Sequence, residues 1–364
     1  MSDLRILRDS YAEVKRLAFF REIVETCKEG HIYFFDLITS LEERVQRVKT
    51  FWQGYVREVK DDGGFIQFSR KHKVAINYLK IAHLLEWVKV YVTRLIITVY
   101  GDTLHQLPRE ENIFRLSIHE KCLFLKRLLM TDLDCMIPLL GVIKNGHQDY
   151  GSIKEQYKDN LITFLYDKKE KSSSVYTRKK IDEVVTKVRS WKDRVLDHRV
   201  SPRLSWYIDL GLLEYDGEKY ELLRTGELLF DEMRSLYFLD DGWFHNDFFN
   251  LLSKVYEENL GKRWAELGIK SRQWQELVHE DRTSIFMNLL EEGFSKFSEE
   301  TLKRMSATSF LDYGCISTLV DRGIKGCTFK TLEGLLEDMS TKPRPLIYYY
   351  WSEYRGNGYI RKEI

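Results

Sequence analysis

The stretch from Leu210 to Phe230, LGLLEYDGEKYELLRTGELLF, decides how the chain is expected to fold. Its centre holds the pair Asp216-Gly217, one of the strongest local signals for a tight β-hairpin turn. Strand-length segments flank this pair, and the apolar spacing after them is typical of a helix. We therefore predict two short strands within 214–223 and a new helix over 227–235.

A strongly basic segment leads into this hairpin. The residues from Pro202 to Leu213 are predicted to form a helix, with Ser201 as its N-cap and Pro202 at its first position. The preceding residues, 177–201, carry many lysines and arginines and few acidic side chains. The sequence thus places a cluster of cations directly before the predicted hairpin.

The same order of elements is predicted at two other places. Residues 77–89 have helical spacing and are followed by the β-branched run 90–99, which is long enough for a short hairpin. Near the end of the chain, a predicted helix at 328–339 precedes two strands within 346–364. The pair Asn357-Gly358 is expected to form the turn between those two strands.

This repeated order, helix then hairpin then further chain, resembles the winged-helix domain. The resemblance is carried by the three hairpin-containing segments and implies a mainly α (α+β) fold, with tandem winged-helix units whose short β-hairpin wings are joined by helical connectors. Similar arrays occur in the DNA-recognition regions of restriction enzymes and in subunits of prokaryotic anti-phage defence systems. A fold signature of this kind has low functional specificity, so no catalytic residue is carried over.

Four regions are expected from this pattern. Residues 1–110 would hold N-terminal helices and the first winged-helix-like unit, and 111–170 a helical connector. Residues 171–240 would form the second unit, and 241–364 a helical region that ends in the third.

Three further predictions concern the connecting segments. Ser40 and Glu43 have the spacing of a capping box and are expected to divide the helical segment 32–56 in two. The polar run 167–174, DKKEKSSS, is predicted to be a flexible loop. The aromatic-rich region 240–305 is predicted to be helical.

Composition narrows the class of protein. The 57 Lys and Arg nearly cancel the 56 Asp and Glu, so any basic surface must be local. The five cysteines include no CxxC pair, which favours a reducing compartment and argues against a zinc site. We find neither a signal-peptide core nor an apolar run long enough for a membrane span. We therefore expect a cytoplasmic protein with no membrane association, no metal and no cofactor.

The resemblance also implies where DNA would bind. Cations near phosphates and polar side chains on an exposed helix are the groups that such a site requires. Arg203 and Ser205 are expected at the N-terminal end of a recognition helix. The complete set of candidate DNA-binding residues is Arg178, Lys179, Lys180, Lys187, Arg189, Lys192, Arg199, Arg203, Ser205, Arg70, Lys71, Lys73 and Arg355.

Two functions remain open at this level, and neither is enzymatic. The sequence has no GxxxxGK[ST], GxSxG or HExxH motif, and the ExK at 58–60 lacks strand-forming flanks. The first function is a DNA-recognition subunit that acts with other protein subunits, such as a nuclease or an ATPase. The alternative is a protein-interaction scaffold that uses winged helices to dock partner subunits without direct DNA contact. It is favoured by the neutral net charge, the acidic hairpin tip Asp216-Gly217-Glu218, and the aromatic regions 240–290 and 346–359.

Overall fold

The fold is described from a computed structural model that covers residues 4–7, 10–30, 33–67, 72–298, 303–352 and 357–363. The chain forms two compact units. Unit 1 consists of Met1–Ile96, Arg109–Ser117 and Phe124–Asp240, and unit 2 of Ile97–Pro108, Ile118–Leu123 and Asp241–Ile364.

The described chain is mainly helical, as the sequence predicts. Its helices are α1 (Ala18–Lys28), α2 (Phe34–Arg47), α3 (Lys49–Val59), α4 (Lys73–Leu84), α5 (Val99–Gln106), α6 (Ile118–Lys144), α7 (Tyr150–Lys171), α8 (Val175–Arg189), α9 (Asp193–Leu210), α10 (Arg224–Met233), α11 (Asp241–Asn246), α12 (Phe248–Val255), α13 (Glu257–Glu266), α14 (His279–Phe297), α15 (Ala307–Arg322) and α16 (Phe329–Ser340). None of them is both long and apolar enough to cross a membrane.

The strands form small sheets. They are β1 (Val88–Tyr91), β2 (Arg94–Ile97), β3 (Leu213–Tyr215), β4 (Tyr220–Leu222), β5 (Arg272–Gln273), β6 (Arg304–Ser306), β7 (Ile324–Lys325), β8 (Ile347–Ser352) and β9 (Asn357–Lys362). β1 pairs with β2, β3 with β4, and β5 with β7, while β6, β9 and β8 form a three-stranded sheet in that order.

The hairpin predicted at 214–223 is confirmed as β3 and β4, which pair antiparallel. The Asp216 carboxylate accepts hydrogen bonds from the backbone N–H groups of Glu218 and Lys219, both at 2.8 Å. Gly217 has a φ of +109°, a conformation that is open to glycine and strained for other residues. The rings of Tyr215 and Tyr220 stack across the two strands with centroids 4.5 Å apart. Turn chemistry and a cross-strand aromatic pair thus fix this hairpin locally.

The other two predicted hairpins are also present, with one correction. β1 and β2 lie at 88–97, close to the predicted 90–99. In the C-terminal hairpin, Asn357 and Gly358 are not a turn: they belong to β9 and pair with Ser352 and Trp351 of β8. β6, about fifty residues away in sequence, adds to β9 as a third strand.

Two predictions about connecting segments are wrong. α2 runs through Ser40 without a break, and the division falls at Val48, between α2 and α3. The expected loop at 167–174 is mostly helix, because α7 continues to Lys171. Lys168 explains this extension: its side chain is buried, and its Nζ lies 2.9 Å from the carboxylate of Asp134 in α6.

A buried polar network at the kink of α6 holds unit 1 together. Asp132 has non-helical backbone angles and marks the kink. Its carboxylate accepts the backbone N–H of Leu7 at 2.9 Å, and that of Asp134 accepts the backbone N–H of Arg5 at 2.7 Å. Burial raises the pKa of Asp134, and the nearby Lys168 ammonium opposes this rise. The segment 4–7 is thereby fixed against α6.

Gly226 permits a close approach of α10 to the β3–β4 hairpin. A Cβ atom at this position would clash with the carbonyl oxygen of Leu212, which accepts the backbone N–H of Leu223 at 3.0 Å. We expect Gly226→Ala to lower the free energy of unfolding by about 1–3 kcal/mol, because backbone atoms must move. Urea denaturation measures this change.

The matched control is Gly54→Ala in the exposed part of α3, where a Cβ atom would meet no neighbour. It should raise stability by up to about 1 kcal/mol through helix propensity alone. Equal effects of the two substitutions would contradict the proposed close approach.

Candidate nucleic-acid interface

The helix expected to present recognition residues is instead part of the core. α9 begins at Asp193, so Ser201 and Pro202 lie inside it and not at its start. Arg203 is fully buried and forms a two-pronged ion pair with Asp132, at 2.7 Å and 2.8 Å. Burial disfavours its charged form, but the Asp132 carboxylate outweighs this and keeps the pKa of Arg203 well above its usual value. Arg203 is therefore removed from the candidate DNA surface.

Three more candidates are engaged elsewhere. Ser205 is buried and donates a hydrogen bond to the Asp61 carboxylate at 2.9 Å. Arg199 is half-buried and donates to the carbonyl of Leu7 at 2.6 Å. Lys73 is exposed, but its Nζ lies 2.7 Å from the carboxylate of Glu13. Arg70, Lys71 and Arg355 lie outside the described residues. Among the residues that the structure describes, the remaining candidates are Arg178, Lys179, Lys180, Lys187, Arg189 and Lys192.

Five of the six surviving cations lie on one helix, α8. The Ser174 side chain caps this helix by accepting the backbone N–H of Thr177 at 3.2 Å. One face of α8 is buried and packs in unit 1 beside α7: Thr177, Ile181, Val185 and Val188. The remaining surface carries the cations. All of them are exposed except Lys180, which is half-buried, and Lys192 follows as an exposed residue after the helix. We call this set of six the α8 cationic surface.

The cations of the α8 cationic surface are not neutralised by carboxylates. Arg178 donates to the carbonyl of Ser172 at 2.7 Å, and Arg189 to the hydroxyl of Tyr166 at 2.9 Å. The ammonium of Lys180 lies 5.3 Å from the ring of Tyr176. Within the described residues, none of the six forms an ion pair with an acidic side chain. Their charge is therefore available to a polyanion.

Acidic residues limit the extent of this surface without cancelling it. Asp182 lies on α8 but is paired with Lys169 of α7, at 2.6 Å. Glu183 is exposed on the helix.

A shallow depression of about 350 Å³ lies beside the start of α8 and is lined by Tyr166, Lys169, Glu170 and Arg178.

The β3–β4 hairpin adds no positive charge near its tip apart from Lys219. Hydrogen bonds from the backbone N–H groups of Lys219 and Glu218 lower the pKa of Asp216, so the tip keeps a negative charge at neutral pH. As the sequence indicates, this tip is unsuited to phosphate contact. Of these two described elements, α8 is basic and the hairpin is not.

The described residues offer no metal site, and three of the cysteine thiols are held in their protonated form. They contain no cluster of three or more His, Cys, Asp or Glu side chains able to hold a metal ion. All five cysteines are buried, and none of them forms a disulfide. Burial raises the pKa of Cys27, Cys122 and Cys135 to about 12, so these thiols stay protonated at neutral pH.

Comparisons with protein-family models, with curated proteins and with solved structures find no match to this chain.

One signal in the sequence could have identified Arg203 as a core residue. Asp132 and Asp134 stand within the otherwise apolar stretch 128–143. Two carboxylates on a buried helix require cationic or N–H partners from elsewhere in the chain. The structure supplies Arg203 and Lys168.

Proposed function

We propose that this protein binds DNA through the α8 cationic surface. The observation that supports the proposal is a helix whose apolar face is buried and whose remaining surface carries lysines and arginines without carboxylate partners. Such cations neutralise phosphates and release condensed counterions, which is the main source of affinity in non-specific DNA binding. Contacts of this type position a protein on a duplex and do not read its sequence.

The arrangement of α14, β6, α15, α16 and the β8–β9 hairpin supports the winged-helix interpretation for unit 2. In a winged-helix domain, a short strand before the second helix adds to the wing hairpin, and β6 adds to β9 in this way. The resemblance extends the proposal to a recognition subunit in the cytoplasm of a prokaryote. There it would act beside a nuclease or an ATPase in DNA processing or anti-phage defence.

Salt-dependent binding tests this function directly. We expect the wild-type protein to bind a labelled duplex of about 30 base pairs, with log K falling against log salt at a slope of about −3 to −5. Fluorescence anisotropy between about 50 and 200 mM salt measures this slope. The absence of binding at the lowest salt concentration, or a slope near zero, would refute the proposal.

A specific observation favours a second function, the protein-interaction scaffold. The β1–β2 hairpin and the start of α2 expose apolar side chains in unit 1: Phe35 is 73% exposed, Tyr91 68% and Val92 85%. The two elements are joined, because the backbone N–H of Phe34 donates to the carbonyl of Thr93 at 3.1 Å. Val92 also has a φ of +57°, which strains a β-branched residue. Exposed apolar patches of this kind are typical of protein contacts.

Co-purification with the products of neighbouring genes distinguishes the scaffold from the DNA-binding function. A scaffold should capture a partner without binding DNA itself, and it should lose that partner in the double variant Tyr91→Ser and Val92→Ser. Partner binding that survives this double substitution would exclude the hairpin as the contact.

A further inference from the structure

The three-stranded sheet of unit 2 has one covered face. Met305, Ile347 and Ile360 are buried on this face. The hydroxyl of Tyr349, on the same face, donates to the Glu333 carboxylate of α16 at 2.6 Å. Because side chains alternate along a strand, the neighbours of these residues point to the opposite face.

The register of the sheet assembles aromatic and arginine side chains on that opposite face. Tyr348 of β8 lies across from Arg361 of β9, which lies across from Arg304 of β6. In the next row, Tyr350 lies across from Tyr359. We call these five residues the open sheet face. Tyr348 is 45% exposed, Tyr350 54% and Tyr359 37%, so the described chain leaves these three rings accessible to solvent.

Three side chains of the open sheet face, those of Arg304, Tyr350 and Tyr359, contact one another. The rings of Tyr350 and Tyr359 stack with centroids 5.3 Å apart and planes inclined by 28°. The guanidinium of Arg304 lies 5.6 Å from the centroid of the Tyr359 ring. These contacts limit side-chain freedom before any ligand arrives, so less conformational entropy is lost on binding.

The charges around the open sheet face favour a polyanion as its occupant. Lys303 immediately precedes β6, and Lys342 and Arg344 precede β8; all three are exposed. The carbonyl of Lys303 accepts the backbone N–H of Lys362, and that of Leu346 accepts the backbone N–H of Glu363, so these ends of the strands lie together. Glu363 adds a negative charge at the same end: the Tyr348 hydroxyl donates to its carboxylate at 3.4 Å.

We propose that the open sheet face binds single-stranded nucleic acid. Unpaired bases would stack on Tyr348 and Tyr350, and Arg361 would contact the phosphate backbone between them. Exposed aromatic rings suit unpaired bases, because in a duplex the base faces are already stacked and closed to side chains. This site lies in unit 2 and does not depend on the duplex binding proposed for the α8 cationic surface in unit 1.

Anisotropy of a labelled thymidine oligonucleotide of about 20 nucleotides tests the proposal on the full chain. We expect the double variant Tyr348→Ala and Tyr350→Ala to bind it about 10- to 100-fold more weakly than the wild type, through loss of stacking. The double variant Tyr348→Phe and Tyr350→Phe keeps both rings and should retain affinity. Arg361→Ala should reduce the salt slope by about 0.7.

Three comparisons make the test decisive. Tyr91→Ala, which removes an exposed ring of unit 1, should leave oligonucleotide binding unchanged. Replacing Lys179, Lys180 and Lys187 with glutamate should weaken duplex binding by a larger factor than oligonucleotide binding, because the stacking contacts of the open sheet face are unchanged. Failure of the wild type to bind at about 50 mM salt, or unchanged affinity of a folded alanine double variant, would overturn the proposal and assign the open sheet face to a protein partner.

Discussion

Replacing Arg203 with alanine is expected to lower the free energy of unfolding by about 3–5 kcal/mol, because Asp132 would remain as an uncompensated buried charge. Both side chains are fully buried, and the two hydrogen bonds between them join α9 to the kink of α6. The affinity of the folded fraction for DNA should stay at the wild-type value. Urea denaturation followed by tryptophan fluorescence measures the loss of stability.

Lys187→Ala is the control for this prediction. Lys187 is an exposed cation of α8, so its removal should change stability by less than about 0.5 kcal/mol. Arg203→Ala with wild-type stability and reduced DNA affinity would contradict the burial of Arg203. Such a result would indicate that the DNA-binding surface includes α9.

Reversing the charge of Lys179, Lys180 and Lys187 together is expected to weaken duplex binding about 100-fold at moderate salt. A cation near an anionic surface contributes about 1 kcal/mol, so the loss of three corresponds to roughly two decades in affinity. The added carboxylates repel phosphate and increase the effect further. Competition anisotropy at constant salt measures this loss.

The matched control carries the same change in net charge elsewhere in unit 1. Lys49, Lys60 and Lys219 are exposed and lie on α3, just after α3, and at the β3–β4 hairpin. Replacing these three with glutamate should weaken binding much less, because screening limits charge effects to about 8–10 Å at physiological salt. Equal losses in the two variants would indicate a general charge effect without a defined site.

Features with local causes could be predicted from the sequence. The β3–β4 hairpin was predicted within a residue because Asp216 and Gly217 make a turn in almost any context. The mainly helical fold class was predicted from the spacing of the apolar residues and from the small number of prolines. The basic character of α8 was also visible, since Arg178, Lys179 and Lys180 are adjacent in the sequence.

Features with distant causes could not be predicted. Ser201-Pro202 has the composition of a helix start, but α9 continues through it because Arg203 and neighbouring side chains are buried against distant parts of unit 1. The pairing of β6 with β9 joins residues more than fifty positions apart and creates the row of Tyr348, Arg361 and Arg304. Helix and strand propensities depend on neighbouring residues and do not specify such distant partners.

The salt slope of a triple alanine variant tests the central claim most directly. Lys179→Ala, Lys180→Ala and Lys187→Ala remove three phosphate contacts without adding repulsion. The α8 cationic surface therefore predicts that the slope of log K against log salt becomes shallower by about 2–3. A slope equal to that of the wild type would mean that these lysines do not contact DNA.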